Sequence, residues 1–195
     1  MTVWPLIRPF SAGLVLVAAV VAGIWGGPAL AHPLPGSTLT LGRDADSLSL
    51  TLSIPLQDLA LALPPISALR DAPPGTAIDP ALAQVLAAYL AQHLSLSLGE
   101  HSALALVVTN TVLAQAETPD VGPYDLIVVD LDGALRPGQA VFPIAVRFDA
   151  VLHEVRNHTA TVYWQAPDAG PVAVGRILFD ADLGAATPLG IAAAP

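Results

Sequence analysis

Leucine alternates with serine and threonine along much of the chain. Residues 37–41 read STLTL and residues 47–54 read SLSLTLSI, which puts Leu48, Leu50, Leu52 and Ile54 on one face of an extended segment. A period of two with one apolar face is the pattern of a half-buried strand, and the intervening Gly42-Arg-Asp-Ala-Asp46 makes the two runs a hairpin. Residues 55–77 carry Pro55, Pro64, Pro65, Pro73 and Pro74. They predict connections, with at most a short helical turn around Gln57 to Leu63. The period then changes. Asp79 suits a helix N-cap and Pro80 the first helical position, and Leu82, Val85, Leu86, Tyr89, Leu90 and His93 recur at spacings of three and four, so a helix follows. From residue 94 the period returns to two, over 94–98, 102–113, 124–131, 143–152, 158–165 and 171–180, with Gly99, Pro119, Gly133, Pro137-Gly138 and 167–170 as punctuation. About eight short strands at intervals of roughly ten residues predict a mainly β fold, an antiparallel β-sandwich of Ig-like or cupredoxin-like kind with one packed α-helix.

The N-terminus has a different pattern. Arg8 is the sole early charge, an apolar run extends from Ala12 to Trp25, and Gly26-Gly27-Pro28 precedes Ala29-Leu30-Ala31. This reads as a secretory signal over 1–31 cleaved after Ala31, followed by a single periplasmic domain over 32–195. The apolar run is shorter than the ~20 residues a spanning helix needs. No later run approaches that length, so no membrane span is expected after cleavage, and the product is expected in the periplasm or secreted. Cleavage there has a chemical consequence: His32 becomes the first residue, with a free α-amine beside its imidazole.

Composition narrows the function. All 7 basic residues are Arg, against 16 acidic ones, for a formal net charge of −9. Such a surface has no cationic patch for a phosphate backbone, which excludes nucleic acid as a partner. The absence of Cys removes disulfides, thiolate metal sites, Fe–S clusters and cysteine nucleophiles. GxGxxG, GxSxG, Walker and HExxH motifs are also absent. What remains is histidine, carboxylate, hydroxyl and backbone chemistry.

The histidines are His32, His93, His101, His153 and His158. His93 closes the apolar stripe of the helix and reads as a structural residue at its C-terminal end. His101 follows a turn and reads as a solvated strand start. His153 and His158 bracket Glu-Val-Arg-Asn between two strongly alternating segments, and matching the apolar faces of those segments puts Leu152 near His158 at one mouth of the sandwich. An N-terminal His chelates a metal through its amine and Nδ1, and one more imidazole completes a T-shaped histidine brace, which suits copper(II) and its tetragonal N/O preference. Pro33 has no N–H to lose, which disfavours the rival amide-based N-terminal copper motif. The expected ligands are therefore His32, His153 and His158, with Asp149, Glu154 and Asp44 as candidate carboxylates. Copper is the expected metal, and nickel, cobalt and zinc are the alternatives. Asn157-His158-Thr159 matches a glycosylation acceptor, and Asp130 with Asp132 reads as solvated charge.

His32-Pro-Leu-Pro-Gly-Ser, "IPLQDLALAL" (54–63), "RFDAVLHEVRNHTATVYW" (147–164) and "GRILFD" (175–180) resemble the extracytoplasmic N-terminal domain of bacterial HupE/UreJ-type hydrogenase and urease accessory membrane proteins. The features carrying that resemblance are His32, Pro33, His153 and His158. Those proteins continue into a multi-helix membrane domain associated with nickel or cobalt permeation, which this sequence lacks. The resemblance thus implies a metal-binding role and, as partner, an inner-membrane metal transporter. Architecture and His32 also give a weaker resemblance to CopC-type periplasmic copper carriers. Three functions follow: a metal-sequestering or metal-delivering protein, a metal-free interaction domain docking on a transporter or on itself through a sheet edge, and a copper oxidase or monooxygenase. The last needs an open coordination position and a substrate surface, and aromatics make up only 5% of the chain.

Overall fold

In the computed structural model, which describes residues 35–99, 102–179, 185 and 187–189, the alternating runs become strands of two sheets. The expected signal segment 1–31, His32 and His101 lie outside the described residues. Strands β1 (Ser37–Arg43) and β2 (Ser47–Pro55) form the expected hairpin, with Leu41 opposite Leu50 and Leu39 opposite Leu52. Serine and threonine alternate with these leucines, and the face that carries Leu39, Leu41, Leu48, Leu50, Leu52 and Ile54 is buried, with Ser37 at its start.

Helix α1 (Leu56–Ala62) and a 3-10 segment (Pro64–Leu69) occupy the proline-rich connection. Helix α2 (Pro80–His93) follows, capped by the Asp79 side chain, which accepts from the backbone N–H groups of Ala81 and Leu82. Leu86, Tyr89 and Leu90 form its buried stripe. It passes without a loop into β3 (Leu94–Leu98). The remaining strands are β4 (Ser102–Leu104), β5 (Val107–Thr118), β6 (Gly122–Ala134), β7 (Ile144–Phe148), β8 (Thr159–Gln165), β9 (Val172–Leu178) and β10 (Thr187–Pro188). The run 102–113, expected as one strand, is divided at Ala105-Leu106 between the two sheets.

One sheet has the order β5-β6-β2-β1-β8-β9 and the other β10-β7-β3-β4. In the larger sheet, Leu131, Leu50, Leu41 and Trp164 form one row across four strands, and Val129, Leu52, Leu39 and Val162 form the next. In the smaller, Leu94 pairs with Phe148, Leu96 with Val146 and Leu98 with Ile144. Both sets belong to a single hydrophobic core together with the buried stripe of α2, the arrangement of a β-sandwich with a packed helix. Truncating any of these side chains to Ala costs about 2–5 kcal/mol.

Two departures from the expected pattern matter for the site. The pairing of β1 with β8 is parallel, whereas the other strand pairs are antiparallel. The segments 143–152 and 158–165, whose apolar faces suggested neighbouring strands, lie in different sheets. Strand β7 ends at Phe148, and Ala150, Val151 and Leu152 are buried as part of a connection, all at 0% exposure. Their burial prolongs the apolar pattern beyond the strand. Among the described residues no helix is long and apolar enough to cross a membrane.

Candidate functional site

The register of β3 against β7 creates the principal side-chain cluster. Leu94 lies opposite Phe148, so the residues just outside that pair, His93 at the end of α2 and Asp149 after β7, also meet, and the Asp149 N–H donates to the His93 carbonyl at 3.0 Å. Their side chains join as well: His93 Nδ1 lies 2.8 Å from Asp149 Oδ1. The other carboxylate oxygen accepts from Arg147 Nη2 at 3.3 Å, and the same nitrogen donates to the Gln92 carbonyl at 3.1 Å. A guanidinium at a helix C-terminus complements the exposed carbonyls there.

The connection 149–158 folds back on the same residue. His153 Nδ1 lies 2.9 Å from the Asp149 carbonyl oxygen, and the His153 backbone N–H also donates to that oxygen. The rings of His93 and His153 stack with centroids 4.4 Å apart and planes 7° from parallel. Tyr89, one helical turn before His93, places its ring 4.5 Å from His93 and 5.9 Å from His153. Its hydroxyl accepts the N–H of Val151 at 2.9 Å, holding a buried valine at φ 66°, a backbone conformation unfavourable for a β-branched residue. Burial pushes the Tyr89 phenol up to about 12; the Val151 N–H opposes the rise, and the charges of Asp149 and Glu154 add to it.

Hydrogen-bond logic assigns the tautomers. A carboxylate or a carbonyl can only accept, so the Nδ1 atoms of both His93 and His153 carry hydrogen, and in the neutral rings Nε2 carries the lone pair. Among the described residues neither Nε2 has a hydrogen-bond partner. An imidazole whose Nδ1–H is anchored on a carboxylate or a backbone carbonyl, with Nε2 open, is the usual form of a metal-ligating histidine. Asp149 anchors both, one through its side chain and one through its backbone.

His158 has a different environment. It is 4% exposed, and its Nδ1 lies 2.7 Å from Asp58 Oδ2 while Nε2 takes the Ser37 backbone N–H at 3.2 Å and the Ser37 hydroxyl at 2.8 Å. A backbone amide only donates, so Nε2 is the acceptor and Nδ1 holds the proton. Both ring nitrogens are thereby occupied. His153 and His158, expected together, are drawn into separate clusters, and His93, read from sequence as structural, is the partner of His153. Of the candidate carboxylates, Asp149 is the anchor of the pair, Glu154 is exposed and Asp44 lies at the far end of β1. Among the described residues no group of three or more His, Asp or Glu side chains converges as a metal site. No model of a known protein family matches the chain, and no curated protein matches it.

Proposed function

We propose that this is an extracytoplasmic metal-binding protein that holds a divalent first-row ion, copper(II) foremost, for sequestration or delivery. The observation that carries the reading is the Asp149 anchorage of two imidazoles, His93 and His153, that leaves both Nε2 lone pairs open. Imidazole nitrogen suits copper, nickel, cobalt and zinc, and the general affinity order places copper(II) highest. The two rings are stacked in nearly parallel planes, so one shared ion requires them to splay, and water completes the coordination. The amine-plus-imidazole pair expected at His32 is an independent donor set, tested separately below.

Titration of copper(II) into the folded protein, followed by electron paramagnetic resonance, tests the proposal. Nitrogen hyperfine structure from two imidazoles, reduced in His93→Ala and in His153→Ala and retained in Arg136→Ala, is the expected result. A spectrum and affinity unchanged in both histidine variants would refute it. Extending the chain by one residue before His32 then reports on the amine alone: a spectrum altered by the extension assigns part of the binding to the N-terminus.

A further inference from the structure

We propose a second site, independent of the histidine pair, in the cleft between α1, the 3-10 segment and the start of β6, and infer that its ligand is a small zwitterion, a free amino acid or short peptide. The cleft has a volume of about 500 Å³ and is lined by residues that include Leu56, Asp58, Leu61, Ser67, Arg70 and Asp125. That volume falls in the range of small-molecule sites, roughly 300–1,000 Å³.

The cleft is lined by charges of both signs. The Asp58 side chain is only 14% exposed, and its partner is the buried His158. The Ser37 amide donates to His158 Nε2, and the imidazole in turn meets Asp58 through Nδ1 and orients its carboxylate. A carboxylate so placed is costly unless a cation or further donors reach it. Asp125, which also lines the cleft, takes a weak hydrogen bond of 3.3 Å from the Gln115 amide. Arg70 is exposed, and among the described residues no ion pair joins it to either carboxylate or to any other acid. Two carboxylates therefore offer acceptors for an ammonium, and a guanidinium with five donors offers a fork for a carboxylate. Leu56 and Leu61, the latter 66% exposed, line the same cleft and offer apolar surface for a side chain.

The chain Ser37–His158–Asp58 has the connectivity of a nucleophilic triad, but its direction is reversed. Ser37 is 1% exposed, and the member that lines the cleft is the carboxylate. The relay holds an acceptor toward a ligand, and the hydroxyl is its buried end.

Isothermal titration calorimetry of the folded protein with L-leucine and with the dipeptide Leu-Leu, against acetate and butylamine as singly charged controls, tests the inference. The zwitterions are expected to bind at least about tenfold more tightly than either control. Arg70→Gln and Asp125→Asn, both changes at the cleft wall that leave the core untouched, are expected to weaken zwitterion binding about tenfold or more each. His93→Ala is expected to leave it unchanged, which separates this site from the metal reading. Equal binding of acetate or butylamine, indifference of both wall variants, or no heat at about 10 mM ligand would each overturn it.

Discussion

Asp149→Asn is the substitution whose effect the geometry specifies most fully. An amide presents one acceptor oxygen and one donor NH2 where the carboxylate presented two acceptors. Arg147 can only donate, so the amide oxygen turns to Arg147 and the NH2 turns to His93 Nδ1. His93 is able to respond, because an imidazole accepts at Nδ1 by moving its proton to Nε2. The substitution therefore shifts the tautomer of His93 and blocks the nitrogen proposed to meet the metal. The anchorage of His153 runs to the backbone carbonyl of the same residue, so its tautomer is unaffected and serves as an internal control. Both side-chain hydrogen bonds survive in altered form. The loss of stability is then the difference between charged and neutral bonds, about 1–2 kcal/mol, with Arg147, 35% exposed, contributing little. Loss of an outer-shell partner of this kind costs about 10–100-fold in metal affinity. Long-range proton–nitrogen correlation of the imidazole rings reads the tautomers, and copper(II) titration reads the affinity. An Asp149→Asn protein whose His93 still carries hydrogen at Nδ1, or whose affinity equals that of the parent, would refute the reasoning.

Other outcomes follow from neighbouring contacts. Tyr89→Phe removes the acceptor of the buried Val151 N–H, and urea unfolding is expected to show a loss of about 1–3 kcal/mol. The Tyr89 phenol is raised in the folded state to about 12 from 10.0, so the folded protein retains a proton that the unfolded chain releases. Stability contributed by Tyr89 is whole below pH 10 and declines by about 1.4 kcal/mol per pH unit between 10 and 12; in alkaline melts Tyr89→Phe is expected to lack this slope. At Gly36 a Cβ would stand 2.1 Å from the Thr159 carbonyl oxygen, so Gly36→Ala forces the start of β1 away from β8 and is expected to lower the melting temperature, at a cost of about 1–3 kcal/mol. Excess copper(II) is expected to raise the melting temperature and a chelator to restore it, and the absence of any shift would contradict the proposed function.

Local signals in the sequence carried much of the fold. The β1–β2 hairpin, the Asp79 cap and the buried stripe of α2 are each set by residues a few positions apart; the first two formed as expected, and the stripe formed at Leu86, Tyr89 and Leu90 but leaves Val85 exposed. Strand partnership was less legible. Ala150, Val151 and Leu152 continue the alternation of β7 into a connection, so the pattern alone could not show where the strand stops or that β8 joins the other sheet. The site suffered from the same gap. His153 was visible as one of a close pair of histidines, but its partner is 60 residues away, brought there by the register of β3 against β7. Given that register, His93 facing Asp149 follows at once. His158 drew attention because it sits close to His153, whereas its environment is set by Ser37 and Asp58, both remote in sequence.

The parallel pairing of β1 with β8 imposes an order on folding. Ser37 meets His158 across a separation of 121 residues, and contacts of such range slow folding because the loop must close before they form. Until β8 arrives, the hairpin partner β2 covers only one side of β1, and the residues that become the middle of the larger sheet present an open row of amides and carbonyls. An exposed strand edge of that kind captures other strands. A chain that ends before Thr159 therefore lacks β8 and β9 and also converts an interior strand into a sticky border, so truncated products are headed for aggregation and the segment from Thr159 onward acts as the closing seam of the domain.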